Sequence, residues 1–191
     1  MKLNIPNLLT WLRIAMIPLV VGIFYLPAGW MTAETVNLTA AAFFAAAAVT
    51  DWFDGYLARA LNQTSAFGAF LDPVADKLMV AAALVVLVEL SRVNAVIALI
   101  IVGREITISA LREWMASIGQ SKSVAVSFVG KLKTATQMVS ILLLLYHGPL
   151  VAGLDAQMAG TFLIYLAAFL TLWSMVYYLK MAAPQIMKAD A

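Results

Sequence analysis

Six stretches of about 20 apolar residues follow one another along this chain, and each is the length an α-helix needs to cross the hydrocarbon of a bilayer. They run approximately from Leu8 to Pro27, Thr35 to Leu61, Ala69 to Leu90, Asn94 to Ser117, Val129 to Tyr146 and Gln157 to Met181. With 64% apolar and only 12% charged residues, a water-soluble fold is excluded. The expectation is an all-α integral membrane protein of six transmembrane helices, residues 1–191 forming a single membrane domain. The start Met1-Lys2-Leu3-Asn4 with Pro6 reads as a short interfacial helix, and the polar Asn4, Asn7, Thr10 and Arg13 argue against a cleaved signal peptide.

The residue types that are missing narrow the chemistry. Without cysteine there are no disulfides, thiolate metal sites or cysteine nucleophiles, and a single histidine, His147, excludes multi-histidine metal sites. A net charge of +2 is too small for a nucleic-acid-binding surface, so no nucleic-acid partner is expected. Most basic residues, among them Lys2, Arg13, Arg59, Arg112, Lys122, Lys131, Lys133, Lys180 and Lys188, fall near one side of the six spans. By the positive-inside rule both termini face the cytoplasm.

Carboxylates stand where hydrocarbon is expected. The purely apolar part of the third segment, Leu78 to Val88, has only 11 residues, so the span must extend backwards through Asp76 and Asp72. The second segment likewise runs from its alanine-rich stretch into Asp51 and Asp54. Asp51 and Asp54 are spaced i, i+3, and Asp72 and Asp76 i, i+4, so each pair occupies one helix face. A helical hairpin through Asn62-Gln63-Thr64-Ser65 would turn the two faces toward each other as an all-oxygen pocket. Magnesium or manganese suits such donors, and four formal negative charges suit two ions. Gly55, Ala58 and Gly68 leave space beside the carboxylates. Read singly, Asp72 before Pro73 could be only a helix N-cap.

Together the spacing Asp51-x2-Asp54-Gly55-x2-Ala58-Arg59-x8-Gly68-x3-Asp72-x3-Asp76 resembles, at every defined position, the motif of the CDP-alcohol phosphotransferase family. The likeness extends to Ile5-Pro6-Asn7-Leu8-Leu9-Thr10-x2-Arg13, Gly103-Arg104-Glu105-Ile106, Ala110-Leu111-Arg112-Glu113-Trp114-Met115 and Gly130-Lys131-x-Lys133-Thr134-x2-Gln137, which look like the bacterial members that act on glycerol 3-phosphate. The resemblance implies a multi-pass enzyme of the bacterial inner membrane, usually a homodimer, with its active site facing the cytoplasm. Its reaction transfers the phosphatidyl group of CDP-diacylglycerol to sn-glycerol 3-phosphate and releases CMP. It also implies that Asp51, Asp54 and Asp72 are metal ligands, that Asp76 contacts the metals and serves as general base, and that Gly55, Ala58, Arg59 and Gly68 border the nucleotide.

Asn7, Thr10 and Arg13 recur in three-residue steps and are candidates to face the diphosphate from the first helix. Arg104, Arg112, Lys131 and Lys133 are candidates for the phosphate of the acceptor, Arg104 in particular because it interrupts an apolar span. Trp11, Trp30 and Trp114 read as interfacial anchors, and Trp173, Tyr177 and Tyr178 as lipid-facing or packing surface. Other acceptors for the same chemistry are serine, inositol phosphate or phosphatidylglycerol. An ion-coupled transporter is the rival from another class.

Overall fold

The computed structural model describes residues 5–60, 66–119, 128–150 and 153–189, with side chains described for 8–51, 68, 70–119, 132–150 and 153–183. Six helices account for nearly all of them: α1 (Ile5–Gly22), α2 (Ala33–Ala60), α3 (Ala66–Glu89), α4 (Ala95–Ser117), α5 (Phe128–Tyr146) and α6 (Ala156–Ala189). No strand occurs among the described residues. Of the expected N-terminal interfacial helix, residues 1–4 lie outside the described residues, while Ile5, Pro6 and Asn7 already belong to α1, which runs unbroken into the first span.

Most helix ends lie close to the expected ones, and the exceptions have local causes. The first span ends as a short 3-10 turn, Ile23–Tyr25, and the last runs on past Met181 to Ala189. Asn94 caps α4 by accepting from the Val96 amide at 2.8 Å, and Thr32 accepts from the Thr35 amide at 3.2 Å at the start of α2. Asp72 and Pro73 lie inside α3, which begins at Ala66, so Asp72 is no N-cap.

Three segments are long and apolar enough to cross a membrane by composition alone, Leu8–Tyr25, Ala33–Asp51 and Ala156–Ala183, with a shorter apolar stretch Leu132–Tyr146 in α5. Helices α3 and α4 have the length, each about 35 Å at 1.5 Å per residue, but carry Asp72, Asp76, Arg104 and Glu105 within it. The charges that weaken the hydropathy of these two helices are the ones that build the site below.

All six helices contribute to one apolar core, with Val20, Phe44, Leu84, Ile101, Leu144 and Ile164 among its members. Large apolar side chains such as Leu19, Val85, Leu99, Phe162 and Trp173 are exposed around the outside. On a protein in water such a surface would be a liability; facing lipid it replaces one apolar contact with another.

The ends of the bundle differ. At one end Arg92, in the α3–α4 turn, donates to the α5 carbonyls of Leu144 and Leu145, both at 3.1 Å, and to Asn37 Oδ1 on α2 at 2.8 Å. Gln157 on α6 donates to the Arg92 carbonyl at 3.1 Å, so the turn between α3 and α4 is tied to α2, α5 and α6 and satisfies the end of α5. Burial lowers the pKa of Arg92 from its ordinary value, but a guanidinium stays charged at neutral pH. Tyr25 and Glu89 pair at the same end. The aspartates and most described basic side chains gather at the other.

Helices α5 and α6 pack closely. Ser140 donates to the Gly160 carbonyl at 2.8 Å, and a Cβ on Gly160 would stand 2.7 Å from Leu144 Cγ. Gly160→Val is therefore expected to destabilise the bundle by about 1–3 kcal/mol through overpacking, seen as a lower melting temperature in detergent; an unchanged melting temperature would contradict this packing.

Candidate active site

Between α2 and α3 the structure places α1. It packs on both helices more extensively than they pack on each other, so the expected direct facing of the two carboxylate pairs is mediated by a third helix. The reason lies in charge: carboxylates drawn together at low dielectric repel, and α1 brings a cation and a hydroxyl between them. Thr10 Oγ1 donates to Asp72 Oδ1 at 2.5 Å. Arg13 Nη1 pairs with Asp51 Oδ1 at 2.9 Å and also with Asp76 Oδ1. Arg13 is 1% exposed, whereas the carboxylate side chains of Asp51 and Asp76 are each 46% exposed. A buried guanidinium thus holds two partly open carboxylates.

These aspartates open onto a cavity of about 440 Å³, lined on one side by Arg13, Asp51, Asp72, Asp76 and Lys77 and on the other by Glu105, Thr134 and Gln137 from α4 and α5. Ala47, Met79, Val80 and Met138 contribute to its walls, and Gly68 is buried near the start of α3. Of the expected site residues, Asp51, Asp72, Asp76, Thr10 and Arg13 are brought together. Asp54, Gly55, Ala58 and Arg59 follow Asp51 on α2, Asn7 lies on α1 and Lys131 on α5, but their side chains lie outside the described residues.

Behind the far wall sits the basic cluster. Glu105 accepts from Lys133 Nζ and lies 3.4 Å from Arg104 Nη1, so the neighbouring pair Arg104 and Glu105 does meet. Arg104 Nη2 donates to Ser174 Oγ at 3.0 Å. The Tyr178 ring on α6 lies 5.9 Å from the Arg104 guanidinium carbon and 5.4 Å from that of Arg112, cation–π distances for both. Arg104, Arg112 and Lys133 are therefore neighbours, as expected of a phosphate site. None of the three lines the cavity; Lys133 and Arg104 adjoin it through Glu105.

Four residues here, Tyr178, Ser174, Glu105 and Gln137, are not among the candidate site residues of the sequence. Trp173 and Tyr177 are exposed, as expected, but Tyr178 is 1% exposed and serves as the platform for two arginines. Ser174, one turn before it, faces Arg104. Their signal was the four-residue step from Ser174 to Tyr178 on a helix otherwise read as apolar. Glu105 and Gln137 are charged or polar interruptions of apolar spans, the criterion that had selected Arg104. Among the described residues the buried carbonyl oxygen of Gln137 has no hydrogen-bond partner, a state that costs about 1–3 kcal/mol.

Comparison with known proteins gives the family. The family model of CDP-alcohol phosphatidyltransferases matches residues 3–173. The chain belongs to this family. Among its relatives is the CDP-diacylglycerol--glycerol-3-phosphate 3-phosphatidyltransferase of Escherichia coli (strain K12), 49% identical over 189 residues that cover 98% of this chain and 99% of the relative. A protein of the same name from Salmonella choleraesuis (strain SC-B67) is 49% identical over 184 residues, covering 95% and 96%. The family generally uses divalent metal ions. The donor set suits such ions in its chemistry, since Asp51, Asp72 and Asp76 offer hard oxygen ligands on one cavity. Among the described residues no three acidic or histidine side chains converge on one point, and Arg13 supplies the countercharge.

The Glu105 bridge yields a stability test. Removing one partner of a buried ion pair leaves an uncompensated charge, which costs about 3–5 kcal/mol. Glu105→Ala should lower the melting temperature, and adding Lys133→Met should restore much of the loss. A double variant no more stable than Glu105→Ala would show that the pair is not the source.

Proposed function

We propose that this protein transfers the phosphatidyl group of CDP-diacylglycerol to sn-glycerol 3-phosphate, giving phosphatidylglycerophosphate and CMP. The observation that carries this reading is identity of 49% along nearly the whole chain with enzymes named for that reaction. A cavity with carboxylates on one side and a basic cluster behind the other accords with it.

In this reading Asp51, Asp54, Asp72 and Asp76 hold two divalent cations, magnesium or manganese. When bound, such ions neutralise the diphosphate and stabilise the charge of the leaving group. Asp76 accepts the proton of the acceptor hydroxyl. The hydroxyl oxygen forms a bond to the phosphorus that carries diacylglycerol, the bond from that phosphorus to the bridging oxygen breaks, and CMP leaves with the electron pair. Thr10 and Arg13, already beside the carboxylates, and Asn7 and Arg59 lie next to the nucleotide diphosphate, while Gly55, Ala58 and Gly68 let the nucleotide approach the backbone. Arg104, Arg112, Lys131 and Lys133 attract the phosphate of the acceptor, the arginines suited to bidentate contact and Tyr178 holding two of them apart.

The polar end of the bundle is the cytoplasmic end of a bacterial inner-membrane protein, with both termini on that side and the chain acting as one domain within a homodimer. This arrangement lets a soluble phosphorylated acceptor arrive from water while the acyl chains of the donor stay in lipid. The concentration of basic side chains at the aspartate end supports this orientation.

The test is CMP release by the purified protein with CDP-diacylglycerol, a divalent cation and a panel of acceptors. Glycerol 3-phosphate is expected to be preferred over serine, inositol phosphate and phosphatidylglycerol, and Asp72→Asn to lower turnover by at least about 100-fold in a folded, membrane-inserted protein. Turnover that survives in Asp72→Asn, another preferred acceptor, or cation flux without CMP release would overturn the reading.

A further inference from the structure

Gln137 lines the cavity from α5, is 3% exposed, and its carbonyl oxygen has no hydrogen-bond partner among the described residues. Ala47, Met79, Val80 and Met138 give the same cavity apolar lining, and none of its donors, Arg13, Lys77 and Thr134, bonds this oxygen. A buried amide oxygen in such surroundings is a demand for a donor that the protein does not meet.

The chemistry of the two substrates narrows which donor could meet it. Ionised phosphates and diphosphates only accept hydrogen bonds, so they are excluded. The nucleotide is expected beside Gly55, Ala58 and Gly68, toward the ends of α2 and α3, whereas Gln137 stands on α5 four residues beyond Lys133 and three beyond Thr134. Residues at i and i+4 share a helix face. One turn of helix, about 5.4 Å, is comparable with the span of a three-carbon chain. An acceptor whose phosphate is drawn toward the basic cluster behind this wall, to which Lys133 belongs, brings its carbon chain alongside Gln137. The primary hydroxyl of that acceptor gives its proton to Asp76, which leaves the secondary hydroxyl as the unused donor.

We infer that Gln137 accepts a hydrogen bond from the C2 hydroxyl of glycerol 3-phosphate and so makes the site selective for a phosphorylated vicinal diol. The inference rests on the functional reading above and adds a specificity-determining residue to it. A site built to bond a hydroxyl discriminates strongly against an analogue that lacks it, because its own polar group is then left unpaired.

The experiment compares kcat/KM of the full-length protein for sn-glycerol 3-phosphate and for 3-hydroxypropyl phosphate, which keeps the primary hydroxyl and the phosphate but has no secondary hydroxyl. The wild type is expected to favour glycerol 3-phosphate by at least about 10-fold, equivalent to about 1.4 kcal/mol. Gln137→Met, of similar volume, should erase most of that preference by lowering kcat/KM for glycerol 3-phosphate, with little change for 3-hydroxypropyl phosphate or in the KM for CDP-diacylglycerol. A wild type that uses both acceptors equally overturns the inference without any variant. So does a Gln137→Met protein that keeps the preference, or one whose main defect is a raised KM for CDP-diacylglycerol. Absence of CMP release by the wild type with glycerol 3-phosphate would instead contradict the functional reading itself, and the inference with it.

Discussion

A carboxylate in the hydrocarbon layer must find a countercharge, and the fold of this protein is organised around that requirement. Arg13 meets it. Its guanidinium is buried and touches Asp51 on α2 and Asp76 on α3, while Thr10 one turn earlier donates to Asp72. The first helix therefore does more than anchor the chain. It is the wedge that lets two acidic helices share a cavity. An ion pair of this kind adds modest net stability, because desolvation offsets much of the attraction. Its effect is to fix position: three carboxylates are held on one cavity by groups from a helix that is otherwise apolar.

The same economy governs the rest of the molecule. At the far end Arg92 uses one guanidinium to close the end of α5 and to reach Asn37. On the other wall of the cavity Glu105 neutralises Lys133 and Arg104, and Tyr178 gives Arg104 and Arg112 an aromatic face. Arg13, Arg92, Arg104, Arg112, Glu105 and Lys133 each meet a partner from another helix. A bundle with a lipid-facing exterior and a continuous apolar core needs these polar contacts less for stability than for register. The cavity lies where the two kinds of polar cluster meet, acidic on one side and basic behind the other. That is the electrostatic division required by a reaction between a diphosphate and a phosphorylated alcohol.

Much of this was legible in the sequence because charges are so costly in lipid that their spacing carries information. Six apolar runs gave six helices, and the four-residue step from Asp72 to Asp76 correctly put both on one cavity. Arg104 was recognised because it interrupts an apolar span, and Glu105 and Gln137 satisfy the same criterion. What could not be read was which helix stands between which. Nothing in the linear order says that α1 separates α2 from α3, because helix neighbours are chosen by the fit of side chains across the bundle. For Tyr177 and Tyr178 the sequence leaves lipid-facing and packing roles open, and only the rotation of α6 divides them, turning one ring outward and the other onto two arginines. Asp72 resembled a helix cap because proline follows it, but α3 had already begun at Ala66.

The central proposal is that aspartates from α2 and α3 together hold divalent cations. Titration of the purified protein with Mn²⁺, followed by loss of the free-ion electron paramagnetic resonance signal, measures it without depending on turnover. The wild type is expected to take up two ions per chain, and a folded Asp76→Asn protein to bind fewer or bind them at least about 10-fold more weakly. Uptake unaffected by that substitution, or no uptake by the wild type, would contradict the account.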